Sequence, residues 1–406
     1  MTTTPPPYTF STVNLTSSLL HSRVVFCTDE WFARAENLLN PSPPVFDPLA
    51  FCSEGKVMDG WESRRRRLPG HDFAVVKLGL AGCIMGIEMD TAFFTGNYVP
   101  RFSVEACEID DGGADDWIVN GKKRKERGGG VQGTCETPED IKKAVEQISK
   151  AGKWVTIVPM SPLGPGEVGF SQRYFTLPSS QTGKRFTHIK LNYFPDGGVA
   201  RLRVYGIVAP PFEELKGGEK ELSSIVYGGR GLGESNKHYG VPSNMLRTNR
   251  GVDMGDGWET ARYLSRPAII TTDEKTGLVD STARDWCVLR LACAVTDITK
   301  LVVETTHFKG NYPESVQVDY CNISDRPIDC SADVVDSIDW QPLLRRTRLG
   351  PDETFVFGND HKDMNVPASE VTHLRVCMYP DGGISRVRLF GKAARPIEDS
   401  MVSSSL

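Results

Sequence analysis

The sequence predicts an all-β protein built from two tandem β-sandwiches that arose by duplication. Two observations carry that prediction. First, THIKLNYFPDGGVARLRVYG (Thr187 to Gly206) is answered without a gap by THLRVCMYPDGGISRVRLFG (Thr372 to Gly391). Further blocks correspond upstream in the same order, so each half of the 406 residues is domain-sized. Second, the apolar runs are short, alternate at a period of two and are bounded by Gly and Pro, with little helical periodicity between them.

Along the chain, MTTTPPPYTF opens a tail expected to be disordered over residues 1–15. The first repeat is placed at 16–208. Its ENLL segment ending at Leu39 answers SNML ending at Leu246, and MDGWESRRRR around Trp61 answers GDGWETARYL around Trp258. HDFAVVKLG (His71 to Gly79) answers RDWCVLRLA (Arg284 to Ala292), both strand-like. DTAFFTGNYVP (Asp90 to Pro100) answers ETTHFKGNYPE (Glu304 to Glu314), with Gly-Asn as a turn.

Residues 111–152 are expected to be an insertion without a counterpart in the second repeat. Its basic part, GKKRKERGGG, reads as a loop. In TCETPEDIKKAVEQISKAG, Thr137 is placed as a helix N-cap, Pro138 opens the first turn, and Ile141, Ala144, Val145 and Ile148 keep helical spacing. In VARLRVYG, Ala200, Leu202 and Val204 alternate with Arg201, Arg203 and Tyr205, so the arginines here and in the second copy (Arg386, Arg388) are expected to point out of the core. PDGG before each final strand is hairpin-turn chemistry. A linker follows at 209–221, the second repeat at 222–394, and a disordered tail at 395–406.

Composition narrows the function classes. An apolar fraction of 39% with a net charge of −5 describes a globular protein with no general affinity for polyanions. The runs Arg64 to Arg67 and Lys122 to Lys125 lack the interleaved aromatics that stack nucleic-acid bases. No stretch approaches the roughly 18 consecutive apolar residues of a membrane span, and the N-terminus lacks a secretory pattern. Ten cysteines stand scattered, without a CxxC pair, and most lie among apolar neighbours. They read as reduced core thiols in a cytoplasmic protein, the terminal Ser-Ser-Leu being only a loose match to a peroxisomal signal.

The chemistry is expected in DGWE and F(T/K)GNY. Asp-Gly alone is turn chemistry, and its tryptophan is a packing residue. What exceeds that bland reading is a carboxylate, a hydroxyl and arginine close together in both copies: Glu62, Ser63 and Arg64 to Arg67, then Glu259, Thr260 and Arg262. Arginine pairs bidentately with carboxylates, so the constellation suits a small carboxylate-bearing ligand. In the second repeat His307 replaces Phe93, read as a core-like aromatic, and Lys309 replaces Thr95; the histidine is a candidate acid or base. His188 and His373 share one strand position and read as structural. There is no GxSxG elbow, Walker loop or HExxH helix.

Together MDGWESRRRRLPGHDF, DTAFFTGNY, DGWETAR, ETTHFKGNYP and the two PDGG strands resemble the allantoicase family, over roughly Val24 to Lys392. The resemblance implies tandem jelly-roll sandwiches of galactose-binding or discoidin-like type. It also implies hydrolysis of allantoate to ureidoglycolate and urea in purine breakdown. Allantoate would then require a carboxylate clamp, assigned to Arg64, Arg67 and Arg262. Proton transfer is assigned to Glu62, Glu259 and His307, and orientation of the ureido groups to Asn97, Lys309 and Asn311. The His307 and Lys309 asymmetry leans towards the second repeat, with a site between repeats or subunits of a homo-oligomer as the alternative. Asp59 and Asp256 sit where a loop could hold a hard cation. No histidine–carboxylate cluster stands at ligand spacing, however, so neither a catalytic metal nor another cofactor is expected. The competing function is a non-catalytic tandem module that binds carbohydrate or another small ligand. Loops carrying Glu, Arg and Asn rather than exposed aromatics favour the enzyme.

Overall fold

The computed structural model describes residues 2–6, 8–109, 130–167, 169–263, 271–280, 283–323, 328 and 330–397. The chain divides into two compact units, one containing Val13–Ala209 and the other containing the chain from Pro210 onward. Each is a β-sandwich organised by one long strand that serves both of its sheets.

In the first unit that strand is Phe73–Asp90. Its first half pairs antiparallel with Arg23–Cys27 and Arg185–Phe194, and the latter pairs in turn with Arg101–Cys107, then Val155–Pro162. Its second half leaves that sheet and pairs with Arg201–Val208 and Gln172–Thr176. The second unit repeats the scheme with Asp285–Glu304. Its first half pairs with Arg230–Glu234 and Val371–Tyr379, and its second half with Arg386–Arg395 and Thr354–Gly358. Alternation puts Ile87, Met89, Val104, Leu191, Leu202 and Val204 into a dry core in one unit. Leu289, Val303, Val318, Leu374 and Leu389 are fully buried in the other. No helix among the described residues is long and apolar enough to cross a membrane.

The helix expected after Thr137 spans Pro138–Ala151, with the Thr137 hydroxyl accepting from the Asp140 N–H at 3.2 Å. Ala144 and Ile148 pack on Phe73, Val75 and Cys107, whereas Val145 faces out. Thr137→Ala should cost about 1 kcal/mol in denaturant unfolding and Thr137→Ser much less, because one helix-end donor loses its acceptor.

Three expectations are corrected. The helical element of the first repeat has a shortened counterpart, Ala332–Ser337, whose Val335 is fully buried against Trp286 and Val288. The same tryptophan bond closes both helices: Trp154 Nε1 donates to Ile148 O and Trp340 Nε1 to Val335 O, each at 2.8 Å. Six residues are too few for a periodicity to be read. The stretch expected as an N-terminal tail is structured: Thr2 pairs with Tyr174, Val13–Asn14 forms an edge strand against Tyr205–Gly206, and Leu15 is fully buried. The expected linker holds a turn of helix at Phe212–Leu215 and a strand at Lys220–Glu221 that pairs with Phe390–Gly391. Lys122 to Lys125 and positions 398–406 lie outside the described residues.

Candidate active site

The three repeated blocks meet at one end of each sandwich, and the glycines are what let them meet. Gly197 and Gly382 of PDGG adopt φ of 129° and 144°, which a side chain disfavours. The next glycine carries the packing: a Cβ on Gly198 would lie 2.1 Å from the Phe94 ring, and one on Gly383 2.0 Å from Phe308. FTGNY and FKGNY therefore pack against PDGG through one buried phenylalanine. DGWE joins by β-pairing, Trp61–Glu62 with Gly198–Val199 and Trp258–Glu259 with Gly383–Ile384. The hydroxyls of Ser63 and Thr260 accept from Gly197 N and Gly382 N, which makes them structural. Trp61 is fully buried, stacked 3.9 Å from Tyr193.

This assembly brings Glu62 to Asn97, whose Nδ2 donates to Oε1 at 2.7 Å. Asn311 donates to Glu259 Oε1 at 2.6 Å in the second unit. Burial pushes the Glu62 carboxyl above its ordinary range, the Asn97 bond offsetting part of the rise. Phe93 and His307 both take the left-handed conformation, φ 69° and 72°. His307 Nε2 lies 2.8 Å from Gly251 O, a contact in which nitrogen must donate, so neutral His307 keeps its lone pair on Nδ1. Its backbone N–H donates to Asp352 Oδ1 at 2.8 Å. That N–H, more than the nearby charges of Lys309 and Arg250, holds the Asp352 carboxyl below its usual range.

The arginines behave differently from expectation. Arg64 is tied to Asp29, Nε to Oδ2 at 2.8 Å, and lies over the Trp31 ring. Arg67 and Arg262 are exposed, with no hydrogen bond or ion pair to another described residue. Arg201 and Arg386, expected to point outward, are fully buried. Each inserts beneath DGWE: Arg201 Nη2 meets Asp59 Oδ2 at 2.6 Å, and Arg386 Nη2 meets Asp256 Oδ2 at 2.7 Å. Backbone carbonyls of Asn37, Ser42, Asp59 and Ala200 complete the Arg201 shell. The carboxylates read as potential cation ligands thus already face a guanidinium. Phe93, taken as core-like, is 37% exposed and stacks on Phe46; Phe94 is the core residue.

The family model "Allantoicase repeat" matches residues 13–209 and again 220–394. The chain belongs to the allantoicase family. A "Probable allantoicase" of Rhizobium meliloti is 35% identical over 96% of this chain and 97% of its own length. Another, from Pseudomonas syringae pv. syringae, is 35% identical over 94% and 97%. The crystal structure of allantoicase from Saccharomyces cerevisiae matches at TM-score 0.62 and 32% identity, covering 93% of this chain and 92% of that one.

For a member of the allantoicase family, several site residues escape a repeat-based reading. A cavity of about 310 Å³ in the first unit is lined by Glu62 and Asn97 together with Phe32, Phe46, Lys56, Met58, Phe93 and Thr95. Lys56 has no block counterpart: counting back from DGWE, the second repeat has Asp253 there. The one available signal was a lysine three residues before Asp59. Asp29 and Asp352 lie far from the repeated motifs in sequence and gave none.

Proposed function

We propose that the protein hydrolyses allantoate to ureidoglycolate and urea, a step in purine breakdown by way of urate and allantoin, and that the Glu–Asn pairs are its proton-transfer centres. Family membership supports the reaction; the observation that carries the site is Glu62 bound to Asn97, reproduced by Glu259 and Asn311. Allantoate bears a carboxylate and two ureido groups on one carbon. In its acid form, which burial favours at Glu62, the carboxyl gives its proton to the departing ureido nitrogen. The lone pair of the other ureido nitrogen forms the C=N bond as the C–N bond to urea breaks. The resulting carboxylate takes a proton from water as that water adds to the imine-like carbon, which restores the acid. Asparagine spends Nδ2 on the glutamate, leaving its oxygen to accept a ureido N–H. His307 belongs to the same proposal as a second base in the second unit.

Homo-oligomer formation and a cytoplasmic location complete the reading. Exposed Val45, Leu49 and Phe51 support the first, and ten cysteines outside any disulfide the second. A folded sample incubated with allantoate is expected to release one urea per molecule consumed. No urea would sink the reading.

A further inference from the structure

The cavity beside Glu62 is the place where the first unit combines space with unbalanced charge. Its volume, about 310 Å³, stands at the lower end of small-molecule sites and suits a compact ligand rather than a sugar chain. Four of its walls are apolar side chains: Phe32, Phe46, Met58 and Phe93. Phe46 and Phe93 stack with centroids 5.3 Å apart and planes inclined by 15°. Lys56 Nζ sits 4.6 Å above the Phe46 ring. The ring quadrupole favours a cation there, and so positions the ammonium at the cavity. No carboxylate lies within ion-pair distance of Lys56 among the described residues. The carboxyl that lines the same cavity, Glu62, is instead engaged by Asn97. The cavity therefore presents an unpaired ammonium, a carboxyl and a carboxamide. Its complement is a small acid bearing amide-like N–H and C=O groups.

We infer that Lys56 binds the substrate carboxylate in the first unit, where the arginines were expected to do so. This rests on the proposed reaction, because it takes allantoate as the ligand. Arg64 cannot serve without giving up Asp29, whereas Lys56 has no partner to leave. The second unit cannot copy the arrangement. Its counterpart Asp253 uses its side chain to accept from Asp256 N at 3.0 Å, and its added lysine, Lys309, enters from FKGNY.

Lys56→Met and Lys56→Arg test the assignment through steady-state urea release, with thermal unfolding as the check on folding. A charge-assisted contact made equally in ground and transition states acts on KM, so Lys56→Met should raise KM about 10–100-fold and leave kcat within a few-fold. Lys56→Arg should recover most of the loss. An unchanged KM in a wild type that releases urea overturns the inference and leaves the reaction standing. Should the wild type release no urea, the reaction reading fails on its own, and calorimetric titration with N-carbamoylglycine decides Lys56. This ureido carboxylate should bind the wild type at least tenfold more tightly than Lys56→Met; equal binding, or none to the wild type, overturns the assignment.

Discussion

Glu62→Gln is expected to lower kcat for urea release about 10²–10⁴-fold, the range for loss of a positioned acid or base. The substitution is nearly isosteric, and the Gln carbonyl can still accept from Asn97 Nδ2, so the fold should survive and the loss should report chemistry. On the proposed Lys56 assignment Glu62 ranks above Glu259, because it lines the cavity with Lys56. The two variants measured side by side should therefore show the larger deficit at Glu62. The pH profile supplies a second readout. Burial raises the Glu62 carboxyl, so the acid form persists above the range of an exposed glutamate. Activity that depends on that proton should fall as pH rises through the raised value, and the limb should vanish in Glu62→Gln. A folded Glu62→Gln protein with near-normal turnover removes Glu62 from the acid role.

The duplication and the glutamates were legible in the sequence for one reason: both are written twice. PDGG and DGWE recur because their glycines are fixed by backbone geometry or by close neighbours, as at Gly198 and Gly383, each against a phenylalanine. Asn97 and Asn311 recur within F(T/K)GNY, and the structure brings each to its glutamate. The arginines misled because a sequence shows charge without its partner. Arg64 looked available until Asp29, more than thirty residues upstream, occupied it. Arg201 and Arg386 obey strand alternation, but the alternation says only that they face away from the sandwich core. The side they do face is covered by the segment leading into DGWE, a tertiary fact with no local signature. Lys56 was missed for the opposite reason. It belongs to one repeat alone, and comparison of the repeats filters out whatever distinguishes them.

Asp256→Ala is expected to destabilise the second unit by about 3–5 kcal/mol, the usual consequence of removing one partner of a buried ion pair. Arg386 is fully buried, and its guanidinium would keep only neutral acceptors, Asn249 O at 2.8 Å, Asn249 Oδ1 at 3.3 Å, Asp256 O at 2.5 Å and Ser385 O at 2.6 Å. These satisfy N–H groups without neutralising the charge. At roughly 2–4 °C per kcal/mol for a unit of this size, melting should fall by about 6–20 °C. Asp59→Ala should cost less, because the Asp59 side chain is 20% exposed against 9% for Asp256 and water can share the load. Acid supplies an independent check. Burial alone would raise the Asp256 carboxyl, but the Arg386 hydrogen bond and the nearby Arg247 charge outweigh it and hold the group below its ordinary range. Its contribution is therefore fully present above an unfolded value of about 3.9 and is lost as pH falls through the lower folded one. The gap in melting temperature between wild type and Asp256→Ala should stay level from neutral pH down to about pH 4 and close below it. Because the pair sits directly beneath the loop that carries Glu259, the double variant Asp256→Ala/Arg386→Met separates charge from packing. Removing both charges should restore part of the stability. A double variant no more stable than Asp256→Ala would mean that the guanidinium holds the loop by shape and hydrogen bonds rather than by its charge.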